Sequence, residues 1–161
     1  DATGISGRLA MRLTVAAVGR WKAGPERALY EHFARRLTWT LDLKQVEEKK
    51  KLPPPALVRR EGELLLAAVP KGAVVVALDG RGKAMTSAAF ARRLGAWRDD
   101  GVDVAFVIGG ADGLDESVRR KAALTLSLGA MTWPHLMVRA MLAEQLYRAQ
   151  AILSGHPYHR A

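Results

Sequence analysis

Cysteine is absent from all 161 positions of the chain. That excludes a disulfide framework, a thiolate zinc site and a thiol nucleophile, and it makes a reducing cytoplasm the natural location. Also missing is any apolar run long enough to cross a bilayer. The opening DATGISGRLA has neither the basic start nor the apolar centre of a signal peptide. Because Met11 is followed at once by the strand-like RLTVAAVG, residues 1–10 read as a vector remnant or an over-extended start site, with one domain expected over 11–161. No internal repeat is visible. His156 and His159 have no further ligands grouped with them, so no metal is expected. Acidic residues are in deficit, 16 against 25 Lys+Arg, for a net charge of +9 and an isoelectric point near 10.4. Excess positive charge attracts polyanions by releasing their condensed counterions; a basic surface that serves only solvation is an equally good reading of charge alone. What the chain does have is 49% hydrophobic residues, enough for a core without metals or cross-links.

Arg12 to Val18 is an apolar, β-branched run closed by Gly19, the pattern of a buried strand. Pro25 opens a helix in which Leu29, Tyr30, Phe33 and Leu37 recur on one face, while Glu31, Arg35 and Arg36 cover the other. Residues 39–47 alternate apolar and polar, as a half-exposed strand does. EEKKKLPPP follows. Its charge run and three prolines predict a loop, ordinarily a solvated linker, with an RNA-contacting basic loop as the other reading. Leu57, Leu64, Leu65 and Ala68 mark a second helix stopped by Pro70 and Gly72. The unbroken run from Ala73 to Leu78 reads as a strand buried on both faces. Thr86 caps a helix reaching Trp97, with Phe90 and Leu94 on its buried stripe. Residues 103–108 form another apolar strand, Asp115 caps a short helix, and 124–129 is a short strand. A last helix runs from Pro134 to about Leu153, where Val138, Met141, Leu142, Leu146, Ala149 and Leu153 make one stripe that suits either core or partner. Strands alternating with helices imply an α/β domain with a largely parallel sheet and right-handed crossovers.

In such sheets ligands bind beyond the carboxyl ends of the strands. Three turns fall there. Asp79-Gly80-Arg81-Gly82-Lys83 tempts a nucleotide reading, yet the third glycine of a dinucleotide fingerprint falls on Met85, and Lys83 is followed by Ala84 where a Walker loop needs Ser or Thr. Ile108-Gly109-Gly110-Ala111-Asp112-Gly113 fits close backbone approach or positive φ, and equally a plain tight turn. Ser127 to His135 is a small-residue loop leading straight into a helix N-terminus.

Taken together, VVALDGRGKAMTSAAFA, FVIGGADGL, SLGAMTWPHLMVRAMLAEQLYRA and the terminal HPYHR resemble the ribosomal RNA large subunit methyltransferase H family of the SPOUT superfamily, from Met11 to the C-terminus. The resemblance implies an α/β fold with a largely parallel sheet flanked by helices and a C-terminal trefoil knot, a feature no composition argument predicts. It implies S-adenosyl-L-methionine (SAM) as cofactor, held by Leu78, Gly109, Gly110 and the stretch Gly129, Ala130, Met131, Thr132, Trp133 and Pro134. The implied reaction is methylation of N3 of a pseudouridine in 23S rRNA on the assembled ribosome, by a homodimer in which one protomer's tail completes the other's site. A non-catalytic ribosome-binding or assembly factor, and a SPOUT methyltransferase acting on another RNA, are the competing readings.

The nitrogen that attacks must first lose a proton, and the charge left on the ring needs stabilising, which calls for a base or a cation. Candidates are Glu144, Arg148, Tyr158, His159 and Arg160, with His135 at the start of the last helix. Glu144 and Arg148 are four residues apart, as simple surface ion pairs are. A Tyr-His-Arg cluster in the last residues has no packing reason to exist and would ordinarily fray, which favours the tail as base and RNA clamp.

Overall fold

The computed structural model describes residues 11–160, so the expectation for residues 1–10 falls outside it. Within those residues five strands alternate with five helices. The strands are β1 (Arg12–Val18), β2 (Thr40–Val46), β3 (Val74–Ala84), β4 (Val104–Ile108) and β5 (Leu124–Ser127). They form one sheet in the order β2-β1-β4-β3-β5, with every neighbouring pair parallel. The helices are α1 (Pro25–Ala34), α2 (Pro54–Ala68), α3 (Ser87–Asp99), α4 (Glu116–Lys121) and α5 (His135–Ser154).

Alternation along the strands sorts the core into two layers, because successive side chains leave a strand on opposite faces. Leu13, Val15, Val76, Val104 and Phe106 meet Phe90 and Leu94 of α3 and Leu142 and Leu146 of α5 on one face. Ala16, Val18, Ala77 and Val107 meet Leu65 of α2 and Val118 of α4 on the other. α1 packs beside α5 through Tyr30, Ala140 and Ala143. Covering both faces of β1, β3 and β4 is what their unbroken apolar runs require. β2 lies at the edge, and there Asp42 and Lys44 are exposed while Leu41 and Leu43 pack against the core.

Three details depart from the reading of the sequence, and a fourth decides an alternative that it left open. Of the three prolines expected in a loop, Pro53 precedes α2 and Pro54 and Pro55 are its first residues; no hydrogen bond is lost there, since the first turn has no carbonyl partners for its N–H groups. α1 ends at Ala34, so Leu37 reaches the core from beyond the helix and Leu29 is 45% exposed. β3 does not stop at Leu78: the chain swings out and returns, so that Leu78 and Lys83 both stand opposite Leu126 of β5. The apolar stripe of α5 is largely consumed inside the chain, with Leu142, Leu146 and Ala149 buried in the core and Val138 and Leu153 packed against it.

Candidate functional site

Because all five strands are parallel, their carboxyl ends lie along one edge of the sheet. The excursion within β3 and the loops after β4 and β5 border a cavity of about 390 Å³ there. Leu78, Gly109, Gly110 and all of residues 129–133 line it, as does His135. Pro134 is not on that wall; it is the residue that precedes α5. Ile108, Leu126, Leu128 and Val138 supply an apolar lining, and Asp79, Arg81 and Thr132 add polar groups.

Local chemistry shapes each loop. A Cβ on Gly109 would stand 2.6 Å from the Gly113 carbonyl oxygen, so only glycine allows that approach, and Gly113 itself has φ +83°. The Gly113 N–H donates to the Gly110 carbonyl at 3.0 Å and closes the turn. Gly110 has a different reason from the one its sequence position implies. Its φ is not positive, and a Cβ there would face Val18 at 3.0 Å and Glu61 Oε2 at 3.5 Å, so close packing against β1 and α2 is what asks for glycine. After β5, Gly129 has φ +120°, and the Ser127 hydroxyl bridges its carbonyl at 3.0 Å and its N–H at 3.2 Å. In the excursion within β3, Arg81 bonds back to Asp79 through its backbone N–H, Nε and Nη2 at 2.8–2.9 Å. Those bonds, against the effect of burial, hold the Asp79 carboxyl below the usual carboxylate range.

His135 brings an imidazole to the cleft, and its pKa is lowered first by burial and then by the neighbouring Arg139. Arg139, which the sequence reading passed over, has no exposed surface. Its Nη2 donates to the carbonyls of Val18 at 2.9 Å and Gly19 at 2.6 Å, its Nη1 to Gln45 Oε1 at 2.8 Å, and the guanidinium lies 4.7 Å from the Trp21 ring centroid. A charged residue on the stripe that also carries Leu142, Ala143 and Leu146 was the available signal.

The tail residues are gathered elsewhere. Arg148 grips Glu144 Oε1 through Nη2 at 2.7 Å and Nε at 3.0 Å, Tyr158 donates its hydroxyl to the same oxygen at 3.1 Å, and Arg148 Nη1 contacts His159 Nδ1 at 3.1 Å. Tyr158 packs edge-on to Tyr147, and burial, followed by the Glu144 charge, raises its pKa. The Glu144–Arg148 pair is thus part of a half-buried cluster rather than an isolated surface pair. Arg160 is exposed. None of these five residues lines the cavity formed by the glycine loops. Glu144 borders a second cavity of about 450 Å³ between α1, α3 and α5, and the two cavities share Leu126, Leu128 and Gly129 in their walls. Among the described residues no three His, Asp or Glu side chains group as metal ligands do, and no helix is long and apolar enough to cross a membrane.

Comparison with known proteins gives these features a family. The family described as predicted SPOUT methyltransferase matches residues 11–159. The ribosomal RNA large subunit methyltransferase H of Rhodospirillum centenum is 63% identical over 152 residues, covering 94% of this chain and all of the relative. That of Paramagnetospirillum magneticum is 60% identical, covering 93% of this chain and 99% of the relative. Among solved structures, a probable methylase family protein from Haemophilus influenzae superposes with a TM-score of 0.58 at 13% identity, over 94% of this chain and 71% of that one. TrmJ from Z. mobilis gives 0.54 at 16% identity, over 88% and 70%; at such identities the likeness is one of fold. With a parallel sheet whose carboxyl-edge loops form the cleft, and with relatives matched nearly end to end, the chain belongs to the SPOUT methyltransferases, in the ribosomal RNA large subunit methyltransferase H family.

Proposed function

We propose that this SAM-dependent methyltransferase acts on N3 of a pseudouridine in 23S rRNA within the assembled ribosome, in the cytoplasm, as a homodimer whose tails complete each other's clefts. The observation that carries the reading is the meeting of Leu78, Gly109, Gly110 and residues 129–133 around one cavity. The fit to SAM rests on that cavity. Its size lies within the roughly 300–1,000 Å³ of small-ligand pockets. Its apolar lining suits an adenine, and a Cβ on Gly129 would meet nothing within 4 Å, so the space beside that residue is open. SAM supplies an electrophilic methyl group on a sulfonium.

The chain's part is orientation and proton management. The loops after β4 and β5, closed by the Gly113–Gly110 and Ser127–Gly129 hydrogen bonds, would hold the methyl donor against its target, which converts an encounter into an intramolecular approach. His135 favours its neutral form, so it meets the cleft as a hydrogen-bond partner or proton acceptor rather than as a cation. Tyr158 keeps its phenol proton and serves as a donor. An arginine cannot accept, so His159 Nδ1 accepts from Arg148 and the neutral ring carries its proton on Nε2. For His159 to take the N3 proton through Nε2, the tail must leave this resting contact, which supports a tail that works away from its own α5.

Leu29, Met131, Trp133 and Met137 are the large apolar side chains most exposed among the described residues, and all lie on α1, α5 or the loop before α5. Such a surface supports a second copy as neighbour. The family's knot belongs to the same reading, and β5 pairing on the far side of β3 from β4 supports it. The test is to incubate assembled ribosomes with the protein and methyl-labelled SAM, digest the RNA, and identify the labelled nucleoside by mass spectrometry. N3-methylpseudouridine from 23S rRNA is expected. Label on a different RNA or base points to another substrate, and ribosome binding without label points to an assembly factor.

A further inference from the structure

The basic run after β2 has no part in the cofactor cleft, yet it stands on the same edge of the sheet. Its two acids are occupied. Glu48 receives Arg60 Nε at 2.9 Å and the Lys50 backbone N–H at 3.1 Å, and Glu47 faces Arg20 Nε at 4.0 Å. Lys49, Lys50 and Lys51 are exposed and make no ion pair among the described residues. Lys22, on the turn after β1, is exposed and equally without an ion pair. Three adjacent ammonium groups repel one another; Glu48, already paired with Arg60, offsets this only at Lys50, and a polyanion that contacts all three relieves it further.

These side chains are mounted firmly beside the cleft. The Gly19 N–H donates to the Val46 carbonyl at 2.8 Å, tying the roots of the two loops together. Gln45 Oε1 receives both Arg139 Nη1 at 2.8 Å and the Trp21 N–H at 2.9 Å, so a buried arginine one turn from His135 pins both loop roots to α5. β2 is two strands from β4, whose glycine turn forms the cleft wall. At 4.7–4.9 Å per strand the loop is roughly 10 Å from that wall. No aromatic residue occurs between Glu47 and Pro55 to stack on a base, so the chemistry offered is contact with phosphate, which positions a nucleic acid without reading its sequence.

We infer that Lys49, Lys50 and Lys51, with Lys22 and Arg20 beside them, form an arm that grips the phosphate backbone of the RNA strand flanking the methylated nucleotide. The inference rests on the reading of the cleft as an RNA methyltransferase site. The experiment compares three full-length proteins: wild type, the triple variant K49A/K50A/K51A, and a control triple R35A/K71A/K121A. The control removes the same charge from exposed positions that lie at the opposite edge of the sheet or lead toward it. Binding to assembled ribosomes is measured as a function of salt, with KM for ribosomes and SAM affinity alongside.

For K49A/K50A/K51A, SAM affinity stays at the wild-type value, KM for ribosomes rises, and the slope of log affinity against log salt becomes shallower by about 2, as loss of three single-strand phosphate contacts requires. The control triple keeps the wild-type slope. An unchanged slope and KM in the lysine variant overturns the inference while leaving the methyltransferase reading intact, as does an equal loss in the control, which would reduce the effect to net charge. Wild-type protein that neither binds nor methylates ribosomal RNA overturns the underlying reading, and the arm with it.

Discussion

Arg139 has no exposed surface and is held by neutral groups: two backbone carbonyls, the Gln45 amide oxygen and the Trp21 ring. Its Nε has no partner, and burial brings its pKa down to about 10, so it is still charged at neutral pH. Replacing it leaves the Val18 and Gly19 carbonyls without their charged donor, so Arg139→Met should cost about 3 kcal/mol in denaturant unfolding. Arg139→Lys, which keeps the charge and loses the planar fork, should recover only part of that. His135 lies one turn away with its pKa lowered from 6.5. A depressed imidazole favours the neutral folded form, so its contribution to stability is complete above about 6.5 and is lost as pH falls through the lowered value. Melting temperatures of wild type and His135→Gln should therefore converge on the acid side; a gap that widens there would contradict the assignment. The glycines of the cleft and His135 were legible in sequence because small residues after apolar strands fall at one edge of a parallel sheet. Arg139 was not, because whether a lone arginine on an apolar stripe is buried depends on acceptors from β1 and β2, about 120 and 94 residues away.

At the scale of elements, apolar spacing located all five strands and four of the helices of the described chain, and the Asp115 cap located the short α4, since burial and capping are written into local sequence. The failures are boundary events decided by partners distant in sequence. Pro54 and Pro55 read as loop residues, but a helix tolerates proline where its N–H groups have no carbonyl to meet. The segment Asp79–Lys83 reads as a turn after a strand that ends at Leu78, but β5 supplies a second stretch of edge and the strand resumes. Gly82 makes the return feasible, because a Cβ there would run into the Thr125 carbonyl of β5, whereas a Cβ on Gly80 would meet nothing within 4 Å. The two glycines should therefore respond differently. Gly82→Val should destabilise by about 2 kcal/mol through overpacking and disturb the β3–β5 pairing, while Gly80→Ala should leave the unfolding midpoint near that of wild type. Amide hydrogen exchange at Leu126 and Ser127 reports the pairing directly, and unaltered protection in Gly82→Val would show that the excursion closes by other contacts.

At the scale of the whole molecule, the proposed reaction brings together two parts that stand apart within one chain: Tyr158 and His159 rest on Glu144 and Arg148, and none of them lines the cavity formed by the glycine loops. The resemblance made the tail legible as a functional element; what local sequence could not convey is where it would dock, because its anchors belong to α5. Deleting residues 156–161 should leave SAM affinity near wild type, because the cavity walls stay whole, and should abolish methyl transfer, since groups that meet only the target influence the transition state and not cofactor binding. A cavity variant such as Gly129→Val, forced from φ +120°, should lose SAM binding and keep its tail. Each protein alone is then inactive for a different reason. Mixed and allowed to exchange subunits, half the dimers are hybrids, and each hybrid joins one undamaged cavity to one undamaged tail. Recovery of about a quarter of the wild-type rate is expected from an equal mixture, since half the dimers carry one working site of two. Recovered activity ties the tail to the neighbouring subunit's cleft. If hybrids verified by native mass spectrometry stay inactive, each tail serves its own protomer, and the route then runs through the wall that the two cavities share at Leu126, Leu128 and Gly129.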